Sequence, residues 1–568
     1  MIFKNKVELK SQTLQAMYER SIKEYADRPC VSFVNGEPIT YAEFGKEVEE
    51  LAKTLFSLGL RKGDKVALFS HNMPNWVIAY FAVVAKGLII VPILPDFSSE
   101  EVENVLTHSE SKFLFVSERL YPKVEGLNLP NIVGMIKTDT LSLIDDNVSR
   151  VDAVEENIKV EVKEEEVVAI IYTSGTTGRS KGVVLTNKNI IFCAASALSF
   201  HEIDEHDVFL SFLPLSHTYE NSFGMVFPIM FGASVYYLEK PPTAAALKPA
   251  MEKIRPTIML SVPLIMEKIY KTQILEKFSK KGLTRALYKN FLFRKLIHFI
   301  AGKKLKKSFG GRLKFFGIGG AKLDARVERF LREAKFPYAI GYGLTETAPL
   351  LAGAGVKQTH MQSTGYAVPG VELMIHEPNK NMVGEIWAKG PNVMVGYYKN
   401  PEATAEVLTK DGWFRTGDLG TFDKKGRLYV KGRSKTTIIG ASGENIYPED
   451  IESVINNDNF IIESLVVEED GGLVAKIILN IEDFEKNLGS AKSYIDEKTT
   501  NLTDRYHHWL QHYKKELNKR LNRNSQIKRI DVMEEPFEKT ASQKIKRFLY
   551  QQKPKDEKAD KKAKKEKK

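Results

Sequence analysis

The sequence predicts an α/β fold: a large N-terminal domain of α/β subdomains with a small β-rich subdomain, followed by a small α+β C-terminal domain. Three observations carry this. Helical apolar patterns alternate with short β-branched runs between Thr40 and Tyr342, the signature of a largely parallel sheet. From about Gly370 the elements shorten to strands and tight turns, and a further break falls at Lys431–Lys435.

The elements follow in order. Thr40-Tyr41-Ala42-Glu43 is a capping box, opening a helix with Leu51, Leu55 and Leu58 on its apolar face. Gly63-Asp64 turns into a strand at Lys65–Phe69. Trp76–Val84 then reads as helix and Leu88–Val91 as strand, followed by helix at Glu101–His108 and strand at Lys112–Val116. The apolar stretch Trp76–Leu94 is broken by Lys86-Gly87 and Pro92, so it reads as helix, turn and strand rather than a membrane span. Val167–Tyr172 and Val183–Leu185 are buried strands, and the rhythm returns at Asp207–Leu213, Ile258–Val262, Leu313–Ile318 and Ala339–Tyr342. Gly384–Ala388 and Arg427–Val430 are short strands. Beyond the break, Asn445–Ile455 and Asp483–Leu521 are largely helical, Ser464–Val467 and Val474–Leu479 are strands, and Phe537–Leu549 closes the ordered chain. The expected domains are 1–431, 432–550 and a lysine-rich tail at 551–568. Apart from Pro554, Lys553–Lys568 has no apolar residue larger than alanine to bury, so disorder is expected there.

The formal net charge of +11 is local. Lys553–Lys568 holds nine lysines against four acids, and 280–314 holds twelve Lys/Arg and no acid. The remainder is mildly acidic, which argues against a nucleic-acid-binding protein. Leu283–Ile300 mixes apolar and basic residues at helical spacing. It fits a helix on an anionic lipid surface, or one packed on the protein body, and periodicity does not separate the two. Cys30 and Cys193 have no partner at metal or disulfide spacing, and the first residues lack a signal-peptide core, so a cytoplasmic protein is expected, with peripheral membrane contact through 283–300 as an option.

Chemistry concentrates in five clusters, with a glycine-rich stretch at 317–322 beside the second. Residues 171–186 gather Thr173, Ser174, Thr176 and Thr177 with Gly175, Gly178, Gly182 and Lys181 between two strands. Glycines let backbone N–H groups converge on an anion while hydroxyls and an ammonium add donors, which makes a polyphosphate cradle. It is not a Walker loop, because Lys181 stands three residues after Gly178 and is followed by glycine. Gly341-Tyr342-Gly343-Leu344-Thr345-Glu346 places a hydroxyl beside a carboxylate suited to Mg²⁺. Gly317-Ile318-Gly319-Gly320-Ala321-Lys322 fails the dinucleotide fingerprint at Lys322, yet its small residues permit close approach to a flat ring. Asp418, in Arg415-Thr416-Gly417-Asp418, suits ribose hydroxyls, and Arg433 and Lys435 follow in a basic turn. Lys544 stands in a polar C-terminal loop. Each of the last three also reads as an ordinary turn, salt bridge or solvated basic patch.

In this order the clusters resemble the adenylate-forming superfamily of acyl-CoA synthetases, luciferases and peptide-synthetase adenylation domains, over nearly the whole chain to about residue 550. Leu213-Pro-Leu-Ser-His217-Thr-Tyr-Glu220 is similar to the long-chain fatty acyl-CoA synthetase version. Leu215–Asn221 lacks the aspartate that amino-acid-activating relatives usually place there. The resemblance implies two steps: a fatty acid attacks Mg-ATP to give acyl-AMP and pyrophosphate, then CoA displaces AMP. It implies that the Thr173–Lys181 loop holds the β- and γ-phosphates, Thr345 the α-phosphate, and Glu346 Mg²⁺. Gly319, Gly320, Ala321, Tyr342 and Gly343 would line the adenine, Asp418 and Arg433 would meet the ribose, and Lys544 would stabilise the transferring charge. It further implies a mobile C-terminal domain hinged near Lys435, with a loop carrying Gly443 that approaches the thioester site. His217 would close the acyl pocket or be merely structural, and Ser222–Gly232 with Ser261–Met266 would supply an acyl tunnel. Gln543 departs from the family's usual glycine before the lysine. Acyl carrier protein as acceptor is the close alternative, and a catalytically dead nucleotide-binding scaffold the alternative of another class.

Overall fold

Two large sheets, rather than one, carry the N-terminal part of this computed structural model. Residues 9–144, 160–173, 180–275, 288, 290–439, 445–456, 458, 460–480, 502–540 and 545–551 are described; the statements below concern these. Ser174, Gly175, Thr176, Thr177, Gly178, Gly443, Gln543 and Lys544 lie outside them, as do 481–501 and the lysine-rich tail. The chain divides into two compact units: Met1–Thr416 with Gly420–Val430, and Gly417–Leu419 with Lys431–Lys568.

In the first unit, the nine-stranded sheet has six consecutive parallel strands: Tyr338–Gly343, Phe315–Ile318, Ile258–Ser261, Val208–Ser211, Ser234–Tyr237 and Pro29–Phe33. The eight-stranded sheet is parallel through Val167–Thr173, Ile89–Ile93, Lys65–Phe69, Phe113–Val116 and Gly134–Lys137. Antiparallel strands close both sheets at their edges. Interior strands such as Phe113–Val116 are buried along their whole length, which is why the sequence shows apolar runs there rather than alternation.

The Pro74–Val84 helix explains the most apolar stretch of the chain: every side chain from Trp76 to Val84 is buried. It packs on the Tyr41–Ser57 helix and on the Ile89–Ile93 strand. The Thr40–Glu43 capping box forms as expected, with Glu43 accepting from Thr40 N at 2.7 Å. No helix among the described residues is long and apolar enough to cross a membrane. Cys30 and Cys193 are both free and buried.

The β-rich region is a four-stranded sheet of Glu372–His376, Gly384–Lys389, Phe414–Phe422 and Leu428–Arg433. The second unit holds its own core under a three-stranded sheet, Ile461–Glu469, Gly472–Leu479 and Ile527–Val532, with helices Pro448–Asn456 and Leu502–Arg520. The expectation of helix from Asn445 needs correction. Asn445–Ile446 pairs with Ile438–Ile439 as a strand, and Pro448 starts the helix, because proline is tolerated in the first turn but not beyond it.

Candidate active site

The strands on either side of the glycine- and hydroxyl-rich segment pair antiparallel, in register Thr173↔Lys181 and Tyr172↔Gly182. Gly182 has no room for a side chain: a Cβ there would meet Ile170 Cγ2 at 2.9 Å and Tyr172 Cζ at 3.1 Å. Lys181 therefore starts its strand at a fixed place, with its Nζ 4.8 Å from the centroid of the Tyr397 ring, a cation–π contact. The Tyr397 hydroxyl in turn donates to Glu346 Oε1 at 2.9 Å. Tyr397 thus links the two clusters, and sequence reasoning missed it. Its one local signal was the aromatic pair Tyr397-Tyr398 after Gly396.

Backbone pairing makes the link. Gly396–Tyr397 pairs with the Lys181–Thr186 strand, Val395 N donates to Val184 O at 3.0 Å, and Met394 N donates to Glu346 O at 2.9 Å. Glu346 itself lies in the single 3₁₀ turn Thr345–Thr347. Buried Thr347 pins that turn by accepting from Leu344 N at 3.1 Å and donating to Pro349 O at 2.8 Å. Gly343 is obligatory, since a Cβ would overlap the Pro349 carbonyl, its carbon only 2.7 Å away.

The parallel strands Phe315–Ile318 and Tyr338–Gly343 pair as far as Ile318↔Ile340, and the second runs on to Gly343. Gly319, Gly320 and Ala321 leave the first, Gly320 with φ +85°, while Tyr342 to Glu346 leave the second. Open α/β sheets bind ligands at such carboxyl ends. Earlier residues of the same strands, among them Gly317, Ile318, Ile340 and Gly341, line a cavity of about 560 Å³ including its open mouth. Its other walls are largely aromatic, including Phe200, Phe223, Phe227 and Tyr219. His201 is there too. Burial lowers its pKa, and its Nε2 has no hydrogen-bond partner among the described residues.

Tyr219 lies along a stripe of glycines: a Cβ on Gly317 would sit 2.9 Å from its hydroxyl, and one on Gly319 would sit 3.2 Å from Cζ. His217 makes the kind of contact that its structural alternative called for. Its Nδ1 accepts from Tyr219 N at 3.3 Å, capping the short Thr218–Glu220 helix, and it is not among the residues lining the cavity. Of the expected tunnel, Phe223 and Phe227 line the cavity, while no residue of Ser261–Met266 does; neighbouring Leu260 does instead.

Behind Tyr219 stands Glu220, fully buried. Ser211 Oγ donates to its Oε1 at 2.6 Å, its Oε2 has no partner among the described residues, and burial pushes its pKa up to about 8. Gly224 makes the space, since a Cβ there would lie 2.6 Å from Glu220 Cδ. The two residues bracket the start of a π-helical turn, Asn221–Val226, whose Ser222 donates to Ala348 O at 2.9 Å beside the Glu346 turn. π-turns recur at functional sites.

In the second unit, buried Asp418 pairs with Arg433, Nε to Oδ1 at 2.9 Å, and Arg433 is otherwise exposed. Exposed Lys435 lies in the 3₁₀ turn Ser434–Thr436, anchored by Thr436 Oγ1 donating to Glu449 Oε1 at 2.9 Å. No group of three or more His, Cys, Asp or Glu side chains among the described residues suits a metal ion. A single carboxylate fits Mg²⁺ that arrives on a polyphosphate, because this ion keeps water and phosphate oxygens as most of its ligands.

Residues 18–398 match the model of the AMP-binding enzyme family. The chain belongs to that family. This AMP-binding enzyme is 30% identical to the long-chain-fatty-acid–CoA ligase FadD15 of Mycobacterium bovis over 484 residues, 79% of this chain and 78% of the relative. It is 26% identical to the chloroplastic long-chain-fatty-acid–[acyl-carrier-protein] ligase AEE15 of Arabidopsis thaliana, over 82% of this chain and 75% of the relative. In fold, the AMP-binding enzyme is similar to Bacillus subtilis O-succinylbenzoate coenzyme A synthetase in complex with ATP and magnesium ion. That similarity has a TM-score of 0.71 at 24% identity and covers 94% of this chain and 98% of the other.

Proposed function

We propose that this AMP-binding enzyme activates a medium-to-long-chain fatty acid with ATP and transfers it to CoA. The observation that carries the reading is the double use of two strands. Phe315–Ile318 and Tyr338–Gly343 line an apolar, aromatic-walled cavity and then continue into the Gly319–Ala321 and Tyr342–Glu346 segments. An apolar acid seated in the cavity has its carboxylate directed toward groups suited to a nucleotide.

In the first step a carboxylate oxygen bonds to the α-phosphorus of ATP as the bond to pyrophosphate breaks. In the second, the thiol sulfur bonds to the acyl carbon, the carbon–oxygen bond to AMP breaks, and the thiol proton is released. The hairpin donors Thr173 to Lys181 hold the pyrophosphate portion, Thr345 the α-phosphate, and Glu346 the Mg²⁺ that ATP brings. Tyr397 keeps the Glu346 carboxylate oriented and shields the Lys181 ammonium through its ring. Asp418 and Arg433 serve the ribose and Lys544 the charge passing through the α-phosphate. Tyr219, rather than His217, is the side chain that meets the acyl group, with His217 holding it in place.

The relatives' names divide on the acceptor, CoA in one and acyl carrier protein in the other. Pyrophosphate release across a panel of fatty acids, with each acceptor in parallel, tests the reading. Release that depends on an apolar acid, with thioester formed on CoA, supports it. Thioester on carrier protein alone moves the acceptor. No release with any acid leaves a nucleotide-binding scaffold and overturns the proposal. We place the activity in the cytoplasm.

A further inference from the structure

The basic segment between the two cavity-lining strands Ile258–Ser261 and Phe315–Ile318 has two faces. Its described helix runs Phe291–Ser308, overlapping the expected 283–300, of which 283–287 and 289 lie outside the described residues. One face docks on the body: His298 and Leu305 are buried, and a Cβ on Gly302 would lie 2.6 Å from Ala334 Cβ. Arg294 Nη2 and His298 Nδ1 lie 2.9 and 2.6 Å from the carboxylate oxygens of Glu333. Sequence left docking on protein and lying on lipid as alternatives, and the docked face answers the first.

The opposite face is uncovered and divided along its length. Leu292, Leu296 and Ile300, at four-residue spacing, are 72%, 55% and 59% exposed, with Phe293 beside them at 48%. One and two turns further along the same face stand exposed Lys303, Lys304 and Lys307. Lysine stems already run over aromatic rings, Lys295 Nζ at 4.2 Å from the Phe291 centroid and Lys303 Nζ at 4.7 Å from that of Phe299. A long stem over an apolar surface with its ammonium held outward is how such residues sit at a lipid headgroup boundary.

We propose that this face is a docking surface for an anionic lipid bilayer, its apolar half entering the interface and its lysine half meeting the headgroups. Charge selects that occupant. From 280 to 314 the sequence holds twelve cations and no acid. A second copy of the helix would bring lysines against lysines or against leucines with nothing to neutralise them, whereas phosphate headgroups do both jobs. The surface is separate from the fatty acid chemistry, so the inference stands or falls independently of it.

Co-sedimentation of the full chain with vesicles tests it, comparing phosphatidylcholine alone with phosphatidylcholine containing phosphatidylglycerol. Wild type is expected on the anionic vesicles, with part of the binding surviving high salt. Leu292→Gln/Leu296→Gln/Ile300→Gln should weaken this binding on the order of a hundred-fold, roughly five-fold per half-immersed aliphatic chain. Lys303→Gln/Lys304→Gln/Lys307→Gln, which spares the apolar half, should remove the preference for anionic vesicles even if the first variant fails to fold. Wild-type binding in both variants would assign the membrane contact elsewhere in the chain. A wild-type dimer in sedimentation velocity that the aliphatic variant makes monomeric would show a self-interface. Either result overturns the proposal.

Discussion

Replacing Glu220 by glutamine is expected to stabilise the protein increasingly as pH rises. The carboxyl is fully buried, and Ser211 donates to one oxygen while the other has no partner among the described residues. Burial therefore dominates and pushes its pKa from the ordinary 4.5 up to about 8. Below the ordinary carboxylate pKa, folded and unfolded chains both hold the proton, and the group's contribution is fully present. Between that point and the raised folded value, the unfolded chain releases its proton and the folded protein does not. Stability then falls by about 1.4 kcal/mol per pH unit. Across the interval this amounts to about 5 kcal/mol, levelling off once the folded carboxyl itself ionises. An amide is nearly isosteric with the neutral acid, keeps the acceptor for Ser211, and does not titrate. Thermal midpoints of parent and Glu220→Gln, taken at one scan rate from about pH 5 to pH 9, should coincide at the acid end and diverge toward alkaline pH. Infrared spectra should also show a protonated carboxyl band near neutral pH that the variant lacks. A difference independent of pH, together with no such band, would mean that the carboxyl is already ionised and the argument from burial is wrong.

Three further outcomes follow from the proposed chemistry and from the geometry. Lys544→Ala should lower acyl-AMP formation by about 100-fold or more while sparing thioester formation from supplied acyl-AMP. Equal loss in both steps, followed by separate quenched assays, would remove its assigned role. Tyr397→Phe keeps the ring over Lys181 but deletes the hydroxyl on Glu346, so the Mg²⁺ concentration for half-maximal rate should rise about ten-fold, as for a lost hydrogen bond to a charged group. An unchanged magnesium titration would count against Tyr397 as a positioning residue. Gly343→Ala forces a Cβ into the Pro349 carbonyl and should destabilise by about 3 kcal/mol or more. Soluble protein with a parental melting curve would show that the turn can yield.

The features legible in the sequence were those set by neighbours along the chain. Helix starts at Thr40 and strands such as Lys65–Phe69 follow from capping and from apolar runs, and the composition of the hydroxyl-glycine loop is the ground on which anion binding is expected there. The order of the clusters was enough to name a superfamily and, with it, a reaction class. Acyl specificity was not legible, because cavity walls come from residues as far apart as Phe200 and Leu350, and of the two stretches expected to form the tunnel only Ser222–Gly232 contributes lining residues.

Tertiary structure decided the rest. Alternating helix and strand signals are the same for one parallel sheet or two, because local propensity does not say which strands pair; only the pairing separates the two sheets seen here. Tyr397 reaches Glu346 across 51 residues by strand pairing, and nothing near either residue in the sequence announces the other. Glu220 reads as one more polar residue in a motif until burial against Ser211 and Gly224 raises its pKa. Capping, turn formation and periodicity act over a few residues and are written in the sequence. Desolvation, pairing register and cavity shape depend on which distant surfaces meet, and that is settled only when the whole chain packs.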